Sequence, residues 1–426
     1  MRGLSNDVGE TMSERRPRVA MLISNGYAPD TRLQKQAHTL AAAGFRVTII
    51  AWDRLRLYPV TARERAPRLL AETLRAWPGR QVEQPEPVSV VRIRVPAGYR
   101  TGRPLLSKMP RFWWHALHEL RRIRPDVIHA CDLDTMPVAT LYRRLTGTPV
   151  IYDAREFYPG MVQANVGPVL SRALDVLDGW VTPRADAVLA VGERLAARHR
   201  ALGGRVWIVP NAQALPTDNG TGSARALIRE GLGMPDDALL VVYVGYLTPD
   251  RLLAPLLDAV CALPDVWLLI GGVGPQADLV ASYAARCPRI QALGWVPVDD
   301  VVTIVSSADV VYYGLDAQNP NSFYFMPNLA FTALATGRPL LTTPVGEIAE
   351  VVRAERCGVV MRAPSADAAI EALESLRDGV FRAGLAEQAR RLGRSDYNWC
   401  SAATQLLDAY DASLCMKRGV RQHVLE

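Results

Sequence analysis

Arginine carries nearly all the positive charge of this 426-residue chain; its only lysines are Lys35, Lys108 and Lys417. One arginine stands where a phosphate-binding group belongs. The run YVGYLTPDRLLAPLLDAV (243–260) reads as a strand, a turn at Gly245, a loop and a helix, with Arg251 near the helix start. Backbone N–H groups at such a start favour anions. A guanidinium there adds two parallel hydrogen bonds to a phosphate, although a solvated surface arginine is the plainer reading. A second stretch, MPNLAFTALATGRPLL (326–341), offers another anion site. Asn328 reads as an N-cap, Pro327 stiffens its approach, and Gly337 can end the helix. The N–H groups of Leu329 and Ala330 then lie in the first turn, where small residues let a bulky anion come close. An ordinary buried helix with a standard cap is the alternative. IGGVGPQADL (270–279) is a glycine-rich strand-to-helix turn, but its spacing is not G-x-G-x-x-G, and many such turns need glycine only for positive φ.

Acidic chemistry clusters elsewhere. HACDLDTMPVA (129–139) holds Asp132 and Asp134, a spacing that can bind Mg²⁺ through carboxylates. No third ligand follows nearby, and Asp134 is placed to cap the next helix, so an acceptor-side or structural role is preferred and no metal is assigned. YDAREFYPG (152–160) sets Arg155 and Glu156 just past a strand, where a substrate contact and a structural ion pair are both open. RFWWHALHELRRIR (111–124) mixes aromatic and basic residues at helical spacing. Such a helix either packs its tryptophans on a sheet or lies on an anionic membrane.

The elements that must position these residues are legible as alternation. RVAMLI (18–23), FRVTIIAW (45–52), SVVRIRV (89–95), DVIHA (126–130), PVIYD (149–153) and AVLAVG (187–192) read as strands with helical stretches between most of them. TRLQKQAHTLAAAG (31–44) reads as a helix capped by Asp30 and stopped by Gly44. The stretch 214–224 is linker-like. A second set of strands follows at 238–247, 266–272, 290–296, 309–315, 338–343 and 358–361. Apolar strands alternating with helices predict an α/β chain of two doubly wound, Rossmann-like domains facing across a cleft. The expected division is a loose tail at 1–16, a first domain at 17–211, a second at 212–395, and a final helix at 396–416 that packs back on the first. Ligands then bind at the carboxyl ends of the strands.

Composition narrows the classes. The formal charge of +6 suits anionic small molecules or an acidic membrane surface, and without a basic block or a known motif nucleic acid is excluded as a partner. No Walker loop and no obvious Schiff-base lysine is present. No apolar run reaches the ~18 residues that cross a bilayer, and the polar N-terminus lacks the apolar core of a secretory signal. The six cysteines form no Cys-x-x-Cys pair and read as reduced thiols of a cytoplasmic protein.

Taken in order, several segments resemble the GT-B glycosyltransferases of the bacterial family-4 type over nearly the whole chain. They are DTRLQKQAHTLAAAGFRVTII (30–50), RPDVIHACDLDTMPVA (124–139), ADAVLAVGERLA (185–196), RVWIVPNA (205–212) and MPNLAFTALATGRPLL. The resemblance implies a retaining transferase that takes a nucleotide-diphosphate sugar as donor, with no permanently bound cofactor and no required metal. Arg251 stands where the family has a basic residue, and with the N–H groups at 328–330 it would take up the leaving diphosphate's charge. Gly245 and Tyr246 would border the donor, Tyr246 replacing an arginine found in many relatives. Gly272, Gly274 and Pro275 match the family's donor-domain glycine turn, and Trp295 and Val296 its nucleotide-base border. Pro327, Asn328, Leu329, Ala330 and Thr332 fall in its donor loop. There the family's usual lysine and glutamate are replaced by Leu329 and Thr332, and the first acid of its paired glutamates by Tyr324. Gly26, Asp30, Asp132, Asp134, Arg155 and Glu156 would line the acceptor half, with Arg155 a second catalytic candidate; many relatives have histidine at the positions of Cys131 and Arg155.

The acceptor class stays open between a small molecule in natural-product assembly and a saccharide, lipid-linked or free, in envelope or exopolysaccharide assembly. Peripheral contact with the inner membrane face would then run through 111–124. A catalytically degenerate nucleotide- or partner-binding homologue and a sugar-nucleotide epimerase are the rival readings.

Overall fold

The computed structural model describes residues 16–27, 30–98, 103–214 and 221–423. Two sheets organise them. The first has eight strands: β1 (Arg18–Ile23), β2 (Arg46–Trp52), β3 (Thr61–Glu64), β4 (Val88–Ile93), β5 (Val127–Cys131), β6 (Val150–Ala154), β7 (Ala187–Ala190) and β8 (Val206–Ile208). Their order is β3-β4-β2-β1-β5-β6-β7-β8, parallel except for the antiparallel edge pair β3–β4. The second has six parallel strands: β9 (Leu239–Val244), β10 (Val266–Gly271), β11 (Ile290–Gly294), β12 (Val310–Tyr313), β13 (Leu340–Thr342) and β14 (Gly358–Val360). Their order is β11-β10-β9-β12-β13-β14. In each sheet the order reverses beside the first strand, which opens a crevice at the carboxyl ends.

Near-continuous burial explains the central strands. Residues 19–23 of β1 and all of β5, β6 and β7 are buried, as a parallel sheet covered on both faces requires. One face of the first sheet packs against helices Thr31–Ala42 and Trp399–His423; Trp399, Ala403, Leu406 and Tyr410 sit in that core with Met21, Ile49 and Ile151. The last helix thus lies on the first sheet. The opposite face is covered by helices Met109–Ile123, Met136–Thr146 and Pro168–Val181. The two chain crossings between the lobes run side by side. Trp399 N–H donates to the Gln213 carbonyl at 3.2 Å, and the Lys35 ammonium donates to the Ala212 carbonyl.

Several local expectations are corrected. The sequence reading missed β3, a half-exposed edge with no apolar run, and β8, three half-buried residues. Of the linker-like stretch 214–224, residues 215–220 lie outside the described residues and 221 onward begins helix Thr221–Gly231. Of the expected tail, residues 1–15 lie outside them too. Asp30 does cap the 31–42 helix, accepting from Leu33 N–H at 3.0 Å. Asp134 caps nothing: the 136–146 helix begins at Thr135 without a side-chain cap. Asn328 is inside its helix rather than capping it, because extended Pro327 (φ −72°, ψ 139°) holds the cap position. Gly337 (φ 65°) does end that helix: its N–H reaches the Leu334 carbonyl, and Arg338 N–H the Ala333 carbonyl.

Candidate active site between the lobes

The carboxyl ends of β5 and β6 carry the acidic half of the gap. Asp132 follows β5 directly with φ 61°, a backbone region that non-glycine residues seldom adopt. Arg155 follows β6, and its Nη1 lies 2.8 Å from Asp30 while its Nε lies 3.5 Å from Asp132. One guanidinium therefore joins the turns after β1, β5 and β6. Burial pushes the Asp132 carboxyl up to about 7; Arg155 opposes that shift, and Asp134 and Glu156 add to it. Asp134 is also raised by burial, against hydrogen bonds from Ser24 and Tyr158 and the charge of Arg54. Its Oδ1 is buried without a partner among the described residues. Gly26 lends its carbonyl to Arg92 Nε at 3.0 Å, and a side chain there would press on the Tyr58 ring.

Beneath this layer lies a sealed network. Arg32 Nη2 meets Asp153 at 2.6 Å, Gln36 donates to the same carboxylate at 3.2 Å, and His129 Nε2 lies 3.4 Å away. Tyr410 of the last helix closes on His129 Nδ1 at 2.9 Å. His129, Cys131 and Asp153 stand close enough together to share an ion, yet both Asp153 oxygens are already engaged by Arg32. The network holds Asp153 well below the usual carboxylate range: the guanidinium and the imidazole overcome its burial.

On the other side of the gap, Arg251 ends a 3₁₀ turn, Pro249–Arg251, two residues ahead of helix Leu253–Ala262. Its guanidinium is mostly buried, 5.1 Å above the rings of Tyr313 and Phe325. One hydrogen bond, 3.2 Å to Asp250, engages it among the described residues. Burial works against its charge, but Tyr313, Asp250, Tyr243 and Glu156 outweigh that and raise its pKa. Glu156 belongs to the first lobe, so Arg251 looks across the gap.

The donor-side glycines have a job the sequence did not reveal. A Cβ on Gly272 (φ 143°) would sit 1.8 Å from the Gly245 carbonyl, and one on Gly274 (φ 151°) 2.5 Å from the Leu247 carbonyl. These residues let two loops touch backbone to backbone; Gly245 N–H bonds the Gly271 carbonyl and Leu247 N–H that of Val273. Val296 fills the space left by Gly271, while Tyr246, Pro275 and Trp295 are exposed around the rim. Thr332 is a correction. It is buried, and its hydroxyl donates to the Asn328 carbonyl of its own helix at 3.0 Å, so it is not turned to an incoming hydroxyl. Ala330 N–H is likewise spent on the Pro327 carbonyl, which leaves Asn328 and Leu329 as the helix-start donors without a partner among the described residues. Leu329 is buried and Asn328 exposed.

Two residues that sequence reasoning missed tie the lobes together. Asn321 donates to Glu156 at 2.7 Å and accepts from Phe157 N–H at 2.9 Å. Glu347 accepts from the N–H groups of Glu193 and Arg194, at 2.6 and 2.9 Å, and so caps helix Glu193–Ala201 from the other lobe. A Cβ on Gly192 would lie 2.6 Å from both Glu347 oxygens. The available signal was weak: Asn321 sits in an Asn-Pro-Asn-Ser turn, and Glu347 and Glu193 each follow a glycine just past a strand.

A family model for "Glycosyl transferase 4-like domain" matches residues 28–212, and one for "Glycosyl transferases group 1" matches 238–378. The chain belongs to the GT-B glycosyltransferases. Among curated relatives of this glycosyltransferase, glycogen synthase of Mycobacterium tuberculosis (strain ATCC 25618 / H37Rv) is 26% identical over 316 residues, 71% of this chain and 72% of that protein. D-inositol 3-phosphate glycosyltransferase of Corynebacterium glutamicum (strain R) is 26% identical over 69% of this chain and 73% of its own. Among solved structures, sucrose-phosphate synthase from Thermosynechococcus elongatus aligns with a TM-score of 0.71 at 18% identity, covering 93% of this chain and 98% of that one. Anabaena HepE in complex with UDP-glucose aligns at 0.65 and 15% identity, covering 93% and 99%. These structural likenesses speak to the fold.

Proposed function

We propose that this glycosyltransferase moves a sugar, with retention of configuration, from a nucleoside-diphosphate sugar to a nucleophile held against the first lobe. The acceptor side is residues 17–211 with the returning helix 396–416; the donor side is 212–395. The observation that carries the reading is Arg251: a mostly buried guanidinium in the gap, with one weak internal partner and a carboxylate opposite. A group placed there is preorganised for charge that grows on a leaving diphosphate. The N–H groups of Asn328 and Leu329 add dipoles of the same sign. Together they supply the positive charge a metal would otherwise provide. The leaving phosphate then takes the acceptor's proton on the same face, so no separate base is needed. The UDP-glucose complex of the Anabaena neighbour makes UDP-hexoses the first donors to test.

The acceptor half favours an acceptor rich in hydroxyls, which the carboxylates of Asp132, Asp134 and Glu156 can orient. Such acceptors include a saccharide in envelope or exopolysaccharide assembly and a polyhydroxylated small molecule. Arg155, held between two carboxylates, is better read as the residue that positions Asp132 than as a phosphate ligand.

Arg251→Ala is expected to lower kcat/KM at least ~10²-fold, the scale of losing one transition-state charge partner, and to erase the thermal shift given by nucleoside diphosphates. Turnover is expected to persist in EDTA. Unchanged kinetics in Arg251→Ala would remove that residue from the mechanism, and strict metal dependence would return attention to Asp132 and Asp134.

A further inference from the structure

The outer surface of the first lobe carries an apolar band that nothing among the described residues covers. Three adjacent helices build it. The 109–123 helix contributes Trp114, the 136–146 helix Leu141 and Leu145, and the 168–181 helix Val169, Val176 and Trp180. Each is between 40% and 79% exposed. The spacings are helical, so on each helix these side chains share the face turned away from the sheet. The opposite faces of the same helices bury Phe112, Leu120, Tyr142 and Val181 in the core, which fixes the band outward.

Its charge is one-sided. Among the described residues, exposed Arg111, Arg121, Arg144 and Arg172 have no carboxylate partner, whereas the acidic residues of these helices are already paired. Glu119 is taken by Arg122, and Asp175 and Asp178 by Arg198; the 136–146 helix has no acid. Trp180 lies beneath two guanidiniums, with Arg184 at 4.2 Å and Arg144 at 5.4 Å from the ring. An apolar strip edged with tryptophan and arginine fits the boundary between headgroups and acyl chains. A second copy would bring like charges together, so self-association is disfavoured.

We propose that this face seats the protein on an anionic lipid bilayer. The contact is broader than the 111–124 stretch and centres on the 136–146 and 168–181 helices. It also reaches the acceptor side of the gap: Trp113, beside Trp114, donates its indole N–H to the Asp134 carbonyl at 2.9 Å. Lipid binding needs neither donor nor acceptor, so it is read apart from turnover.

The test is co-sedimentation of the full chain with phosphatidylglycerol–phosphatidylcholine vesicles and with pure phosphatidylcholine vesicles. The expected result is salt-sensitive binding to the anionic vesicles only. The double variant Leu145→Glu/Val176→Glu should lose at least roughly tenfold in partition, and Arg144→Gln and Arg172→Gln roughly fivefold each. All four positions are exposed, so circular dichroism and Tm should not move. Equal binding to both vesicle types, or undiminished binding by the double variant, would overturn the proposal. So would a concentration-dependent dimer that the same substitutions dissolve while vesicles bind nothing; the band would then be an interface between copies.

Discussion

The two walls of the gap solve the same positioning problem by different means. The first lobe's wall is made of charge: Asp30, Asp132, Asp134 and Glu156 are arranged around Arg155, mostly out of water. The second lobe's wall is made of backbone. Gly245, Gly272 and Gly274 let loops close on each other, exposed aromatic side chains rim them, and Arg251 is the cation that this lobe turns inward. The contrast separates structure from chemistry. A charge locked between two carboxylates holds the wall up and has little left for a ligand; a charge with one loose partner is free to act.

The contrast breaks most directly at the two arginines. Arg155→Ala would leave Asp30 and Asp132 buried without a counter-ion, and removing one partner of a buried pair costs about 3–5 kcal/mol. Denaturant unfolding should show that loss, with Tm falling in parallel. Arg251→Ala, by contrast, should scarcely move the unfolding midpoint while turnover collapses. If Arg251→Ala proved the more destabilising of the two, the division between structural and chemical charge would be wrong. A smaller effect comes from the backbone wall. Gly272→Ala drives a methyl group into the Gly245 carbonyl and strains φ 143°, which overpacking data place at about 1–3 kcal/mol. Because the loops must part, nucleotide binding should weaken with it. Gly379→Ala, where nothing lies within 4 Å, is the control. Equal stability and equal nucleotide affinity in the two variants would mean that the loop contact does not shape the donor wall.

How much of this the sequence disclosed follows the same divide. The parallel sheets were legible because buried strands are written in continuous apolar runs, as in RVAMLI and VIHAC, and their boundaries came within a few residues. Strand β3 was not, because a half-exposed edge of Thr-Ala-Arg-Glu leaves no such trace. Arg251 stood out in the sequence because phosphate chemistry demands a cation just past a strand, and its guanidinium is mostly buried beside Tyr313 and Phe325. The roles of Asn321 and Glu347 were not, because both act across the lobes, and no local spacing records which residue of one lobe meets the other. Thr332 was misjudged for a related reason: its residue type allows an outward hydroxyl, but a buried helix position turns it onto the carbonyl four residues back.

The mildest test sharpens the acidic wall itself. Asp132 is pushed up to about 7, first by burial and then by Asp134 and Glu156, from an ordinary aspartate value of about 3.9. Between those two values the folded protein holds a proton that the unfolded chain has released. Stability contributed by this group is therefore full below about pH 4 and is lost as pH rises to about 7. Asp132→Asn removes the titration but keeps the shape, and Arg155 retains Asp30 at 2.8 Å. The stability of the variant relative to the parent should accordingly climb between pH 5 and 7 and level off above about pH 8. Groups remote from this acidic wall titrate alike in both proteins and cancel in the difference. A flat difference across that range would mean Asp132 is already ionised in the folded state, its surroundings overcoming burial as Arg155, Leu33 N–H and Asn25 together do at Asp30.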